Sequence, residues 1–166
     1  MQEAQSIGID GFALNCAPPD VDDYTPDQLA YAYAAAEELD FKVFISFDFA
    51  YWTPGHTDLI TDYLANFTSS PAQASWNDGA IVSTFIGGAM NWNPVKDALG
   101  DQKLTVLPNV EDPGAIPGDT NGWDGAFSWY AWPTSGNNVP IKGPMTTEWD
   151  DKFLENLGDK PYMARQ

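Results

Sequence analysis

Apolar residues in this chain fall alternately into short runs and helical stripes. MQEAQSIG at the start reads as the tail of a helix, with Gly8 suited to stop it. The run DGFALN (10–15) follows as a short strand, then the turn-forming stretch APPDVDD. Thr25-Pro26-Asp27-Gln28 carries a capping Thr, Pro at the first helical position and Gln three after the cap. Leu29, Ala32, Tyr33, Ala36 and Leu39 continue at helical spacing, and KVFISF (42–47) is the next strand. Thr57 is placed to cap a helix with the stripe Ile60, Tyr63, Leu64 and Phe67. AIVSTFI (80–86) predicts a third strand. Asn93-Pro94 opens a short helix that Gly100 stops, and LTVLPN (104–109) predicts a fourth strand. GAFSWYAW (125–132) predicts a fifth. Thr147 to Asp150 opens a last helix with Trp149, Phe153 and Leu157 on one face and Gly158 behind it. PYMA (161–164) predicts a sixth strand.

Strands separated mostly by helices imply parallel βα units. The strand starts lie roughly 20–40 residues apart, a spacing that suits a (β/α)8 barrel or a doubly wound sheet. Residues 110–124 and 136–144 have no helical period and read as long loops. Long loops after strands suggest a functional face, although surface decoration has the same look. No composition shift marks a domain boundary, so residues 1–166 read as one domain.

Composition narrows the partners more than the fold. The formal charge of −17 leaves little to neutralise phosphates, which speaks against nucleic acid and against an anionic membrane surface. No apolar run approaches ~18 residues, so no spanning helix is expected. A neutral partner such as a carbohydrate is compatible with acid plus aromatics, although acidity by itself often serves solubility alone. The one cysteine, Cys16, allows no internal disulfide, and a lone His56 leaves no His-rich metal site. No GxGxxG follows a strand and no Walker A loop is present, which disfavours nucleotides. No cofactor or metal is called for. Met1 opens directly into the end of a helix, and a truncated chain is the expectation from that.

The predicted strand ends carry the chemistry. DGFALN ends on Asn15, KVFISFD on Asp48 and LTVLPN on Asn109, while the fifth strand ends among Trp129, Tyr130 and Trp132. Ser46 and Asp48 share one face of their strand because side chains alternate. In a parallel barrel the site lies at the C-terminal ends of the strands, so such residues converge on one mouth. Carboxylates and amides pair with sugar hydroxyls, and flat rings stack on the apolar faces of pyranoses. A strand-end Asp or Asn also simply caps a loop, and strand-end Trp residues also fill cores. Tyr51 and Trp52 fall in a loop, where exposed rings are more suggestive of a ligand.

Asp20, Asp22 and Asp23 form an acidic loop that reads as solvated, whereas Glu111 and Asp112 stand close enough to Asn109 to reach the same mouth. Asp124 precedes a strand and is expected at the opposite, stabilising end. Glycoside hydrolysis needs two carboxyl groups flanking the bond, one protonated and one ionised, and spacing in sequence does not pick that pair here. A thiol nucleophile at Cys16 lacks a strand-end His.

The stretches GIDGFALN (8–15), PPD (18–20), FKVFISFDF (41–49), DGAFSWYAWP (124–133), SGNN (135–138) and GDKPYMA (158–164) resemble glycoside hydrolase family 71, the fungal α-1,3-glucanases or mutanases. The similarity runs over most of the chain, in order. It implies an α/β fold, a mostly parallel, partial (β/α)8 TIM barrel of roughly strands 2 to 7. The implied domain, residues 1–166, is then a single incomplete barrel. The implied activity is hydrolysis of α-1,3-glucosidic bonds in fungal cell-wall α-glucan, with inversion, by a secreted parent enzyme. The family's acid/base pair is expected in a Trp-Asn-Asp-x-Gly-Glu-type motif. Trp76-Asn77-Asp78 is followed by Gly79-Ala80 and no nearby Glu, so it reads as a decoy. The catalytic residues are then expected beyond Gln166, and this chain alone is expected to be inactive. Asp48, with Asn15, Asp20, Asn109, Trp52, Trp129 and Trp132, carries over as the wall of a sugar site. A non-catalytic α-glucan-binding or wall-associated protein is the alternative. Asn66-Phe67-Thr68 is a glycosylation sequon consistent with secretion, although Phe67 lies on the helix's apolar stripe.

Overall fold

A computed structural model describes residues 1–129 and 146–164. Among them the chain alternates strand and helix: α1 (Gln2–Ser6), β1 (Gly11–Cys16), α2 (Thr25–Glu38), β2 (Lys42–Asp48), α3 (Thr57–Phe67), β3 (Ser75–Trp76), β4 (Gly79–Phe85), α4 (Asn93–Leu99), β5 (Leu104–Leu107), β6 (Ala126–Ser128), α5 (Glu148–Leu157) and β7 (Tyr162–Ala164). Every helix and strand read from the periodicity is present among the described residues, with ends moved by a few residues, and residues 130–132 of the predicted fifth strand lie outside them. The predicted loops at 110–124 and 136–144 fare differently. Pro113–Gly118 in the first is 3-10 helix, opened by Asp112, whose carboxylate accepts from Gly114 N at 2.8 Å. The second lies outside the described residues.

The sheet is mostly parallel. β1 pairs with β2, β2 with β4 and β4 with β5, each parallel strand lying beside the parallel strand before it. β6 pairs with β7 in parallel, and a parallel bridge between Asn109 and Phe127 links the end of β5 to β6. Among the described residues only β3 runs antiparallel, against β4. It forms a two-residue hairpin absent from the sequence reading. Trp76 pairs with Gly79, and Asn77 and Asp78 between them take φ of 47° and 65°. Two left-handed residues in a row make a type I′ turn, which Asn and Asp tolerate. The Trp-Asn-Asp triplet set aside as a decoy is therefore a hairpin turn.

Strand alternation divides the sheet into two faces. Val43, Ile45 and Phe47 of β2, Val82 of β4 and Val106 of β5 are fully buried on one of them. The helices bring their apolar stripes into that core: Leu29, Tyr33 and Ala36 from α2, Ile60, Tyr63 and Leu64 from α3, Val95 and Leu99 from α4. Tyr33 stacks on Phe67 at 4.4 Å, and its hydroxyl donates to Gln73 Oε1 at 2.6 Å. That bond satisfies a buried phenol that would otherwise be costly. The other face carries Asn15, Ser46 and Asp48, Ser83 and Phe85, placed together by the register Asn15↔Ser46↔Ser83 and Asp48↔Phe85.

Two differences in the caps are physical. Thr25 and Thr57 were expected as N-caps, yet each is the first helical residue, and its hydroxyl ties back to the preceding loop. Thr25 Oγ1 donates to Ala17 O at 3.0 Å and Thr57 Oγ1 to Pro54 O at 2.7 Å. Asp124 behaves as expected of a residue on the strand-start side. Its Oδ2 accepts from Lys96 Nζ and from Val106 N, both at 2.7 Å, and so clamps α4 to β5.

Candidate functional site

The strand tips form one continuous rim. Asn15 is next to last in β1, beside Ser46 of β2, and Asp48 ends β2 in register with Phe85 of β4. Trp129 packs edge-on against Phe85, with ring centroids 4.8 Å apart, and against Phe127 at 5.7 Å. Amide, carboxylate and indole from positions far apart in the chain thus follow one another around the same end of the sheet. Trp132 and Tyr130 lie outside the described residues.

Asn15 and Asp48 line one pocket of about 290 Å³. The rest of its wall comes from β1, the loop after it, the first turns of α2 and the turn after β2, with Asp22, Tyr24, Gln28 and Tyr51 as polar groups. The loop is held shut by the Thr25–Ala17 bond and by Val21 N and Asp22 N, which both donate to Pro18 O at 2.9 Å. Asp48 is half-buried, and its Oδ1 accepts from Ala50 N at 2.9 Å. This Asx-type bond fixes the carboxylate's direction and uses only part of its acceptor capacity. Tyr24 is exposed, and its hydroxyl hydrogen-bonds to Asp22, which raises the phenol's pKa. Asp22, Tyr24 and Gln28 were not singled out from sequence as ligand contacts. The acidic loop 20–23 gave a charge signal only, and Gln28 stood out there as a capping residue.

Three expected wall residues are placed differently. Trp52 was expected as an exposed loop ring. It is instead 2% exposed, packed edge-on against Phe47 and Tyr63, with its indole N–H donating to Cys16 O at 2.8 Å. A turn that begins at Asp48, whose carbonyl accepts from Tyr51 N and Trp52 N, swings the indole back into the core and leaves Tyr51 outside. Asn109 sits at the rim but is 4% exposed and occupied by the backbone. Its Oδ1 accepts from Ile86 N at 3.2 Å, its Nδ2 donates to Phe127 O at 3.4 Å and its own N–H donates to Thr84 Oγ1 at 3.0 Å. It straps the ends of β4, β5 and β6 and holds Ile86 at φ 57°. Asp20 is exposed on the loop after β1 and does not line the Asn15–Asp48 pocket.

Cys16, one residue past Asn15, is no nucleophile in this setting. Burial, and then the Asp48 carboxylate, push its thiol up to about 12 from the ordinary 9.0. The unfolded thiol ionises near the ordinary value and the folded one does not. Stability is therefore expected to fall as pH rises from about 9 toward 12, and the Cys16→Ala variant to lose the part of that slope that begins near pH 9, below the range of the tyrosines. Iodoacetamide at pH 8.5 is expected to alkylate the native thiol roughly a hundredfold more slowly than the urea-unfolded one. Equal rates would show that Cys16 is not shielded.

Residues 1–166 match the model of Glycosyl hydrolase family 71. The chain is 54% identical over 165 residues to a mutanase of Penicillium rubens, covering 99% of this chain and 36% of that protein. It is 32% identical over 181 residues to a glucan endo-1,3-α-glucosidase of Schizosaccharomyces pombe, and 26% identical over 181 residues to an ascus wall endo-1,3-α-glucanase of the same organism. Each of those alignments covers 99% of this chain and 40% of the relative. No solved structure matches significantly. The chain thus spans between a third and a half of the length of its curated relatives. With a match running from Met1 to Gln166, the chain belongs to glycosyl hydrolase family 71.

Proposed function

We propose that this chain forms the sugar-holding wall of an α-1,3-glucanase, an enzyme that hydrolyses α-1,3-glucosidic bonds of fungal cell-wall α-glucan with inversion. Membership of the family along the whole chain supports the reaction, and so do the activities for which the relatives are named. The observation that carries the site is the rim on which Asp48, Phe85 and Trp129 follow one another, with Asn15 and Asp48 sharing a pocket. Asp48 and Asn15 receive hydroxyl hydrogen bonds, and Trp129 supplies an apolar platform for a pyranose ring. The strand order, with each parallel strand beside its predecessor, supports a single-domain partial (β/α)8 barrel whose mouth is this rim. The general acid and base come from outside residues 1–166. Action outside the cell is supported by the ascus wall relative and by the exposed Asn66 of the sequon.

Retention on insoluble α-1,3-glucan tests the reading, with insoluble β-1,3-glucan as the control. The chain is expected on the first and not the second, with no reducing sugar released. A hydrogen bond to a charged group contributes about 1.5–3 kcal/mol, so Asp48→Asn is expected to weaken retention roughly tenfold or more. Equal behaviour on both glucans, or full retention by the Asp48 variant, would sink the sugar-wall reading. Sugar release would place the acid and base inside the chain.

A further inference from the structure

We propose that the hollow beside Trp76 is a second saccharide-binding site, which holds a stretch of the same α-glucan at the end of the sheet opposite the rim. The proposal rests on the α-1,3-glucanase reading for the identity of its ligand. Trp76 is 50% exposed, an unusual place for so large an apolar ring. It is not carried on a loose loop. The type I′ turn at Asn77 and Asp78 fixes β3 against β4, and Thr105 Oγ1 donates to Trp76 O at 3.0 Å. Gly79 makes that bond possible, because a Cβ there would run into Thr105 Oγ1. The backbone that carries the ring is therefore held in position before any ligand arrives, which removes part of the entropic cost of binding.

Against this ring lies a hollow of about 440 Å³, lined also by Asn77, Gln102, Lys103 and Thr105. The amides and the hydroxyl both donate and accept, and the Lys103 ammonium donates, which together meet what sugar hydroxyls require. Lys96 and Asp124 stand in the wall, paired at 2.7 Å, so their charges cancel locally. A chain of net charge −17 repels polyanions, and a neutral polymer meets no such barrier. An indole face with hydrogen-bonding neighbours then matches a pyranose, with its apolar face and hydroxyl edge.

The position gives the site its purpose. β4 runs from Gly79, beside Trp76, to Phe85, beside Asp48. Seven extended residues separate the two sites by about 20 Å, too far for one sugar ring to fill both. One polymer held at two points raises the effective concentration of its own links at the rim.

Titration of the chain with a soluble α-1,3-linked glucose oligosaccharide, followed by NMR, tests this site separately from the rim. The indole N–H of Trp76, assigned by its loss in Trp76→Phe, is expected to shift. On insoluble α-1,3-glucan, Trp76→Ala is expected to lose about tenfold in retention, and Trp76→Phe, which keeps a stacking ring, to lose much less. The Thr105 bond goes to the backbone of Trp76, so neither variant removes it. If the Asn15 and Asp48 amides shift while the Trp76 signal and the retention of Trp76→Ala stay unchanged, the second site is overturned and the rim stands. If neither region shifts and nothing is retained, both are overturned.

Discussion

Replacing Trp52 by alanine is expected to lower stability by about 3–5 kcal/mol, the cost of emptying a large aromatic site in a packed core. The ring is 2% exposed, and its centroid lies 5.0 Å from that of Phe47 and 6.0 Å from that of Tyr63. It joins β2 to α3. Removing it also leaves the Cys16 carbonyl without the indole donor, a bond of 2.8 Å close under the Asn15–Asp48 pocket. Trp52→Phe keeps most of the ring volume and loses that bond, so about 1–3 kcal/mol is expected. Urea unfolding of the three proteins decides the matter. Had Trp52 been an exposed platform for a ligand, the alanine variant would unfold at the wild-type midpoint and lose only glucan retention. An unchanged midpoint would therefore restore the reading made from sequence.

The second large effect is expected at Gly125. A Cβ there would collide with the Pro161 carbonyl oxygen, and would lie 2.7 Å from Leu107 Cδ2 and 2.9 Å from Pro161 Cγ. The nearest obstacle is backbone, which cannot rotate aside as a side-chain end does. The same Pro161 carbonyl accepts from Ala126 N at 3.1 Å, where β6 and β7 begin to pair. Gly125→Ala is thus expected to cost about 3 kcal/mol and to loosen the pairing of β6 with β7. Gly118→Ala is the control. No atom lies within 4 Å of its added Cβ, and a change within ~0.5 kcal/mol is expected. Amide hydrogen exchange at Ala126, whose N–H donates to Pro161 O, reads the local loss, and protection equal to wild type in Gly125→Ala would refute the close approach.

The elements were legible because their burial is periodic. Ile60, Tyr63 and Leu64 announce α3 by spacing, and all three are buried. The alternation of β2 placed Asp48 and Ser46 on one face, which the register upholds. Loops lack such a period, and there the reading fell short. Nothing local distinguishes Trp52 from Tyr51; which of them turns inward is decided by the Asp48 carbonyl and by the space between Phe47 and Tyr63. Asn109 was recognised as a strand-end amide, but its partners, Ile86 and Phe127, lie 23 and 18 residues away. The β3 hairpin escaped notice because two residues on either side of Asn77-Asp78 are too few to show alternation. The family resemblance, by contrast, was carried by contiguous stretches and needed no geometry.

One rim of the sheet has a consequence for how the molecule behaves in a crowded tube. Among the described residues β1 pairs only with β2, and the exposed Phe12, Ile9 and Ile7 lie on or just before it. Such a border offers a neighbouring copy both backbone partners and grease. The net charge of −17 opposes that approach, a repulsion that reaches about 10 Å at 0.1 M salt and only about 3 Å at 1 M. Raising salt from about 0.1 M to about 1 M is therefore expected to favour association of copies along this border.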